Sequence, residues 1–176
     1  KCAYGGTSGD ESPLTSDGAL DDPCTVGYTS GTTGHPKGAL LTHRAIIVNV
    51  EMTALMHART GEDVMVASLP FSHVYGNVAM QSVWARGGTA VLHQKFDALA
   101  TLESIEKHRA TLLEGVPTMY IYLLDSPDRS RFDLSSLTRC TVGGQTMPEV
   151  RMREVEKAFD CPLIELWGMT ELGGLG

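Results

Sequence analysis

Between Tyr28 and Gly38 the chain reads YTSGTTGHPKG, with aliphatic hydroxyls at Thr29, Ser30, Thr32 and Thr33, glycines at Gly31, Gly34 and Gly38, and Lys37. Hydroxyl and backbone N–H donors on so permissive a backbone can close around an oxyanion, and the lysine adds positive charge to the same loop. Phosphate is the guest that fits this chemistry. The loop is not a Walker loop. Counting from Gly31, Pro36 stands where G-x-x-x-x-G-K-[ST] needs glycine, and Gly38 follows Lys37 where the metal-binding hydroxyl belongs. No GxGxxG follows a predicted strand and no GxSxG occurs, which disfavours nicotinamide, flavin and serine-hydrolase chemistry.

Other stretches place polar residues beside glycine or proline at strand ends: LPFSHVYG at 69–76, VGGQTMP at 142–148 and LIELWGMTE at 163–171. The elements that must carry them alternate. CTVGYT, DVMVASL, GTAVLH, TLLEG, RCTVGG and PLIELWG read as strands, with a second short run, ALLT, after the loop. Between them Thr42 can cap a helix near 43–58, on which Ile46, Ile47, Val50 and Ala54 recur at spacings of three and four. HVYGNVAMQSVWAR reads as a mostly buried helix, and Asp97 caps another with Leu99, Leu102 and Ile105 on one side. Pro117 starts TMYIYLL, and Pro148 opens a helix with Met152, Val155 and Phe159 on one face and a Glu149–Arg153 pair on the other.

This βαβα alternation predicts an α/β fold with a mostly parallel sheet flanked by helices. In such sheets ligands sit beyond the carboxyl ends of the strands. The expectation is that loops 29–38, 70–73, 143–147 and 168–174 share that rim.

The totals are those of an ordinary globular chain: 176 residues, 42% hydrophobic and 20% charged. Of the formal charge of −7, residues 1–22 carry −4, from five acids and one base, so this stretch reads as a flexible acidic lead-in ending at residue 23. With −3 left on the rest and no basic face, nucleic acid is not an expected partner. No apolar run reaches membrane-span length, and the first residues lack a secretory-signal pattern. Cys2, Cys24, Cys140 and Cys161 show no CxxC or Cys/His spacing, and no HExxH appears among the six histidines. Reduced thiols and a cytoplasmic location are the default.

Taken together, the four stretches resemble the signatures of the adenylate-forming superfamily, in particular fatty-acyl-CoA and aryl-CoA ligases. YTSGTTGHPKG matches each fixed position of its phosphate loop, [YF]-[TS]-S-G-[ST]-T-G-x-P-K-G, and His35 falls at the variable one. LPFSHVYG resembles the second signature, VGGQTMP the adenine-side turn, and LIELWGMTE the YGxTE motif, with Trp167 where tyrosine is commoner.

The resemblance implies an AMP-binding domain over 24–176, belonging to the large N-terminal domain of an acyl-CoA synthetase-like enzyme. Its lysine-bearing C-terminal domain would lie beyond Gly176, and adenylation by residues 1–176 alone is not expected. The implied reaction joins a carboxylic acid to ATP, with Mg2+, and then passes the acyl group to coenzyme A. Thr29, Ser30, Gly31, Thr32, Thr33, Gly34 and Lys37 would wrap the β- and γ-phosphates. Thr170 would bond the α-phosphate and Glu171 would hold Mg2+. Trp167, Gly168, Met169, Gly143, Gly144 and Gln145 would line the nucleotide, with the Trp167 ring against adenine. His73 would stand between acyl pocket and thiol route, with Val74, Tyr75 and Gly144 in the acyl wall.

Amino-acid-activating members usually carry an aspartate in the second signature. FSHVYG has none, and a buried unpaired ammonium is costly, so a plain acid is implied, and the resemblance points to a fatty acid. The alternative from the binding class is a catalytically silent nucleotide-binding or self-associating module of the same fold.

Overall fold

The computed structural model describes residues 18–29 and 35–176. Lead-in residues 1–17 and the loop residues Ser30, Gly31, Thr32, Thr33 and Gly34 lie outside the described residues. Two strands on either side of that loop, β1 (Pro23–Thr29) and β2 (Lys37–Thr42), pair antiparallel, with Thr29 opposite Lys37.

The main sheet is built from short runs: β3 (Val64–Ala67), β4 (Thr89–Leu92), β5 (Leu112–Gly115), β6 (Arg139–Val142) and β7 (Leu163–Glu165). All neighbours pair parallel in the order β4-β3-β5-β6-β7. The helices are α1 (His43–Met56), α2 (Val74–Trp84), α3 (Ala98–His108), α4 (Pro117–Asp125) and α5 (Glu149–Phe159). Two short strands, β8 (Gly168–Met169) and β9 (Gly174–Leu175), close the chain as an antiparallel pair around a 3-10 turn at Thr170–Leu172.

Local chemistry explains most boundaries. Thr42 Oγ1 accepts from the Ala45 N–H at 3.2 Å and Asp97 Oδ1 from the Ala100 N–H at 2.8 Å, each taking up an orphan donor of a first helical turn. Pro117 sits in the first turn of α4, where its missing N–H costs nothing. Arg109 and Asp160 end α3 and α5 in the left-handed region.

The two faces of the sheet differ. Towards α3, α4 and α5 it buries Val66, Leu113, Cys140, Val142 and Leu163 against Leu102, Ile105, Tyr120, Leu123, Val155 and Phe159. Each large apolar side chain so buried stabilises the fold by about 1.5–3 kcal/mol. Towards α2 it buries Met65, Ala67 and Leu112 against Leu69, Tyr75, Ala79 and Val83, and also a charged cluster described below.

Three expectations are corrected. The strands that flank the phosphate-type loop are not part of the main sheet; β1 and β2 pair with each other as a separate antiparallel pair. Residues 168–174 are not an open loop but the β8–β9 pair and its turn. Leu99 and Ile47, read as members of the periodic apolar sets, are 46% and 49% exposed; of those sets α3 and α1 bury Leu102, Ile105, Val50 and Ala54. Alongside Ile47, the outer side of α1 exposes Val48, Met52 and Leu55. Cys140 and Cys161, distant in sequence, meet as buried thiols with sulfurs 3.6 Å apart. Their hydrogen bond and burial push the Cys140 thiol well up, while the bond from Cys140 lowers Cys161.

Candidate functional site

A parallel sheet points all its carboxyl ends one way, and the strand order sets where a crevice opens. The chain runs from β3 outward to β4, then crosses back over β3 to β5, so the loops after β3 and β5 diverge. In that gap lies a cavity of about 220 Å³ lined by Leu69, Pro70, Val116 and Thr118, with His73, Tyr75, Gly76, Gly144 and Gln145 closing it.

Two further cavities adjoin it. One of about 430 Å³ is walled by Gly144–Thr146 and Glu165–Gly168, including Trp167. The other, about 290 Å³, lies among His73–Tyr75, Gly143, Gly144 and 168–171. Gly144 borders all three. Its φ of +83° is one that L side chains rarely adopt, so the turn that divides the cavities needs glycine there.

His73 is the N-cap of α2: its Nδ1 accepts from the Tyr75 N–H at 3.2 Å, which commits that nitrogen and leaves Nε2 for a guest. The same residue borders the 220 and 290 Å³ cavities and a fourth, about 480 Å³, between the 71–74 loop and the β1–β2 hairpin. It is therefore a partition as well as a cap.

The hairpin reaches this rim by packing on the 3-10 turn. A methyl group on Gly27 would collide with the Thr170 side chain, which shows how closely the strand entering the loop approaches Thr170. Asn49 of α1 holds the other end of the segment. Its Nδ2 donates to the Leu175 carbonyl at 2.7 Å, and its Oδ1 accepts from the Leu175 N–H at 3.1 Å, as a strand partner would. Thr170 and exposed Glu171 thereby face the 290 Å³ cavity. Trp167 is 65% exposed, so it is a wall of the 430 Å³ cavity and not core.

Lys37 is exposed at the start of β2, and the Thr29 hydroxyl lies 3.5 Å from the Lys37 carbonyl oxygen across the mouth of the loop. Thus Val74, Tyr75, Gly143, Gly144, Gln145, Gly168, Met169, Thr170 and Glu171 meet around adjoining cavities. Lys37 stands at the hairpin that packs beside them.

Among the described residues, no cluster of three His, Cys, Asp or Glu could hold a metal unaided. What the 290 Å³ cavity offers is one carboxylate, Glu171, beside the Thr170 hydroxyl. That set suits Mg2+, which keeps waters and shares its shell with substrate phosphates.

A buried polar network under the rim was not foreseen. Arg59 and Glu114 form an ion pair with both side chains fully buried. Glu114 Oε1 takes the guanidinium, while Oε2 accepts from the Thr141 hydroxyl and, at 2.9 Å, from the Tyr75 hydroxyl. Burial and the nearby Glu114 charge raise the Tyr75 phenol well above its ordinary value, so it remains a donor. Arg59 Nη2 also lies 3.4 Å from His57 Nδ1, and burial followed by the Arg59 charge lowers the His57 pKa. One sequence signal existed: Glu114 interrupts the apolar run TLLEG just before its glycine, where a carboxylate without a partner would be costly.

Comparison with known proteins decides the family. The profile of the AMP-binding enzyme family matches residues 4–176. The chain belongs to the AMP-binding enzyme family. Among curated members, it is 39% identical over 153 residues to the long-chain-fatty-acid–CoA ligase of Bacillus subtilis (strain 168), covering 85% of this chain and 27% of that one. It is also 39% identical over 165 residues to the indoleacetate–CoA ligase of Aromatoleum aromaticum (strain DSM 19018 / LMG 30748 / EbN1), covering 93% and 32%. The chain thus spans about a third or less of those AMP-binding relatives.

In three dimensions it is similar to O-succinylbenzoate coenzyme A synthetase (MenE) of Bacillus subtilis in complex with ATP and magnesium ion. The TM-score is 0.78 at 32% identity, covering 89% of this chain and 32% of the other. The parallel sheet flanked by helices is that of the AMP-binding fold. No helix among the described residues is long and apolar enough to cross a membrane.

Proposed function

We propose that the intact protein carrying this chain activates a carboxylic acid with ATP and Mg2+, forming an acyl-adenylate, and passes the acyl group to coenzyme A. The observation that carries this reading is the meeting of three cavities at Gly144, one apolar, one beside Trp167 and one beside Thr170 and Glu171. An acid, a nucleotide base and the phosphorus between them each need such a compartment.

The physical obstacle is the approach of a carboxylate to a triphosphate. Two unit charges about 4 Å apart repel by roughly 1 kcal/mol in water and about 4 kcal/mol at an effective dielectric near 20. Excluding water sharpens the repulsion unless cations and donors already stand in place. In this reading Thr29, Ser30 to Gly34 and Lys37 hold the β- and γ-phosphates, and Thr170 donates to the α-phosphate. Glu171 holds Mg2+, whose chemistry is to neutralise phosphate charge. Trp167 stacks on adenine, with Gly143, Gly144 and Gln145 along its other edge. His73 separates the acid from the 480 Å³ cavity, through which the thiol of coenzyme A arrives.

The 220 Å³ cavity has no carboxylate in its lining, so it favours an uncharged fatty-acyl or aryl group over an amino acid. Relatives named for long-chain fatty acids and for indoleacetate support both shapes.

The test is acid-dependent exchange of labelled pyrophosphate into ATP, run with fatty, aryl and amino acids. Exchange with fatty or aryl acids supports the proposal. Binding of MgATP with no exchange for any acid identifies a silent nucleotide-binding module. Lys37→Ala should slow exchange or weaken MgATP binding by about tenfold or more, the equivalent of one charge-assisted hydrogen bond. Unchanged values for both remove the lysine from the scheme.

A further inference from the structure

The Tyr75 ring occupies a position that the phosphate chemistry does not explain. It borders both the 220 Å³ apolar cavity and the 290 Å³ cavity of Thr170 and Glu171. It also lies directly beneath the dividing turn, since a methyl group on Gly143 would come within 3.1 Å of the ring edge. A shift of this ring would change the width of one cavity, the depth of the other and the support of Gly143 and Gly144 together. Tyr75 is 6% exposed, and its hydroxyl points away from the cavities into the sheet.

What fixes the ring is the far end of the phenol. A carboxylate only accepts hydrogen bonds, so each group facing Glu114 must donate to it. Arg59 donates to Oε1; Tyr75 and Thr141 donate to Oε2. Thr141 is the register partner of Glu114 on β6, so the acceptor is pinned to the two central strands. The Gly115 carbonyl oxygen, 3.3 Å from the phenol, is a second, weaker acceptor. Arg59 supplies the counter-charge to the carboxylate in a site with no water-exposed surface, while its own Nε and Nη1 have no hydrogen-bond partner among the described residues.

We propose that Glu114 is a positioning residue for the acid: anchored by Arg59, it holds the Tyr75 ring as the fixed wall between the acyl cavity and the reaction cavity. This rests on the reading of the 220 Å³ cavity as the acyl compartment. Glu114→Gln tests the donor and acceptor logic with almost no change of volume. A carboxamide must turn its NH2 group either towards the Arg59 donors or towards the two hydroxyls, and either choice breaks the pattern.

The experiment is pyrophosphate exchange by the intact protein, with separate KM values for acid and for ATP, on Tyr75→Phe, Glu114→Gln and the double variant. Tyr120→Phe, the same deletion on the opposite sheet face, is the control. Positioning predicts that KM for the acid rises about tenfold in both single variants while KM for ATP stays within about twofold, and that the double variant is no worse than either single one. A fall in kcat with both KM values unchanged, or an equal effect from Tyr120→Phe, overturns it.

Fluorine NMR of the protein labelled with 3-fluorotyrosine gives a readout that needs no activity. The Tyr75 resonance, assigned by its loss in Tyr75→Phe, should shift and sharpen in Glu114→Gln while that of Tyr120 does not move. An unmoved Tyr75 resonance overturns the proposal. If the unsubstituted protein exchanges pyrophosphate with no acid, the acyl reading fails by itself, and the NMR result still decides whether Glu114 holds the ring.

Discussion

Two tyrosines make the contrast between the faces of the sheet concrete. Tyr120 of α4 and Tyr75 of α2 are both buried, on opposite faces, and each sends its hydroxyl back to the central strands. The Tyr120 hydroxyl lies 2.7 and 2.9 Å from the carbonyl oxygens of Thr141 and Leu113, which belong to the backbone and cannot be varied. Its ring packs edge-on to Phe159 in an otherwise apolar layer. The Tyr75 hydroxyl instead meets a side-chain carboxylate that depends on Arg59, and its ring meets cavities. One face is held by area and can be altered gradually. The other adds a few coupled charges to its apolar contacts, and is the face that borders the cavities.

Breaking the charged face should have the largest effect. Glu114→Ala leaves the Arg59 guanidinium buried without its counter-ion, and thermal or urea unfolding should show a loss of about 3–5 kcal/mol. Replacing both partners by apolar residues, Arg59→Met with Glu114→Leu, should recover most of that stability but not acid binding. On the apolar face Leu123→Ala should cost about 2–5 kcal/mol by opening a cavity, with KM for acid unchanged in the folded fraction. Tyr120→Phe should cost about 1 kcal/mol, the net value of one neutral hydrogen bond.

Acid titration of stability should sharpen the contrast further. Burial, followed by the Arg59 charge, lowers the His57 pKa in the folded chain, so its contribution is complete above about pH 6.5 and is lost as pH falls towards the lower folded value. His57→Gln should flatten that window. Asp63, at the amino end of β3, behaves differently. Burial opposes its charge, but hydrogen bonds from Arg139 at 2.7 Å, the Thr60 N–H and the Thr111 hydroxyl outweigh burial and lower its pKa. Its contribution is complete above about pH 4 and is lost only as pH falls below that, so Asp63→Asn should flatten the more acidic window. The smallest effect belongs to the exposed Glu149–Arg153 pair, where Arg153→Ala should change stability by about 0.3–0.5 kcal/mol.

The strands and helices were legible because each carries its signal locally. Thr42, Asp97, Pro117 and Pro148 mark helix starts through bonds or missing donors within one turn, and runs such as VMVA and RCTV read as buried strands. So were the residues that meet near Gly144, because a parallel sheet must deliver every carboxyl end to one rim. The β1–β2 hairpin was misplaced because CTVGYT has the same pattern whether it pairs parallel in the sheet or antiparallel with its own return strand. Asn49 was invisible for a similar reason: an asparagine in a helix gives no sign that its amide will serve as strand partner to Leu175, 126 residues away.

The sequence by itself determined the order of elements, the glycine- and hydroxyl-rich loop and the motifs that place the chain in its family, since these depend on neighbours a few residues apart. Only the tertiary structure decided that Arg59, Glu114, Tyr75 and Thr141 form one acceptor-centred cluster, and that Trp167 faces a cavity. Those outcomes turn on which side chains meet across strands far apart in the chain. The free energy of a buried charge is set by such meetings and by nothing in its own stretch of sequence.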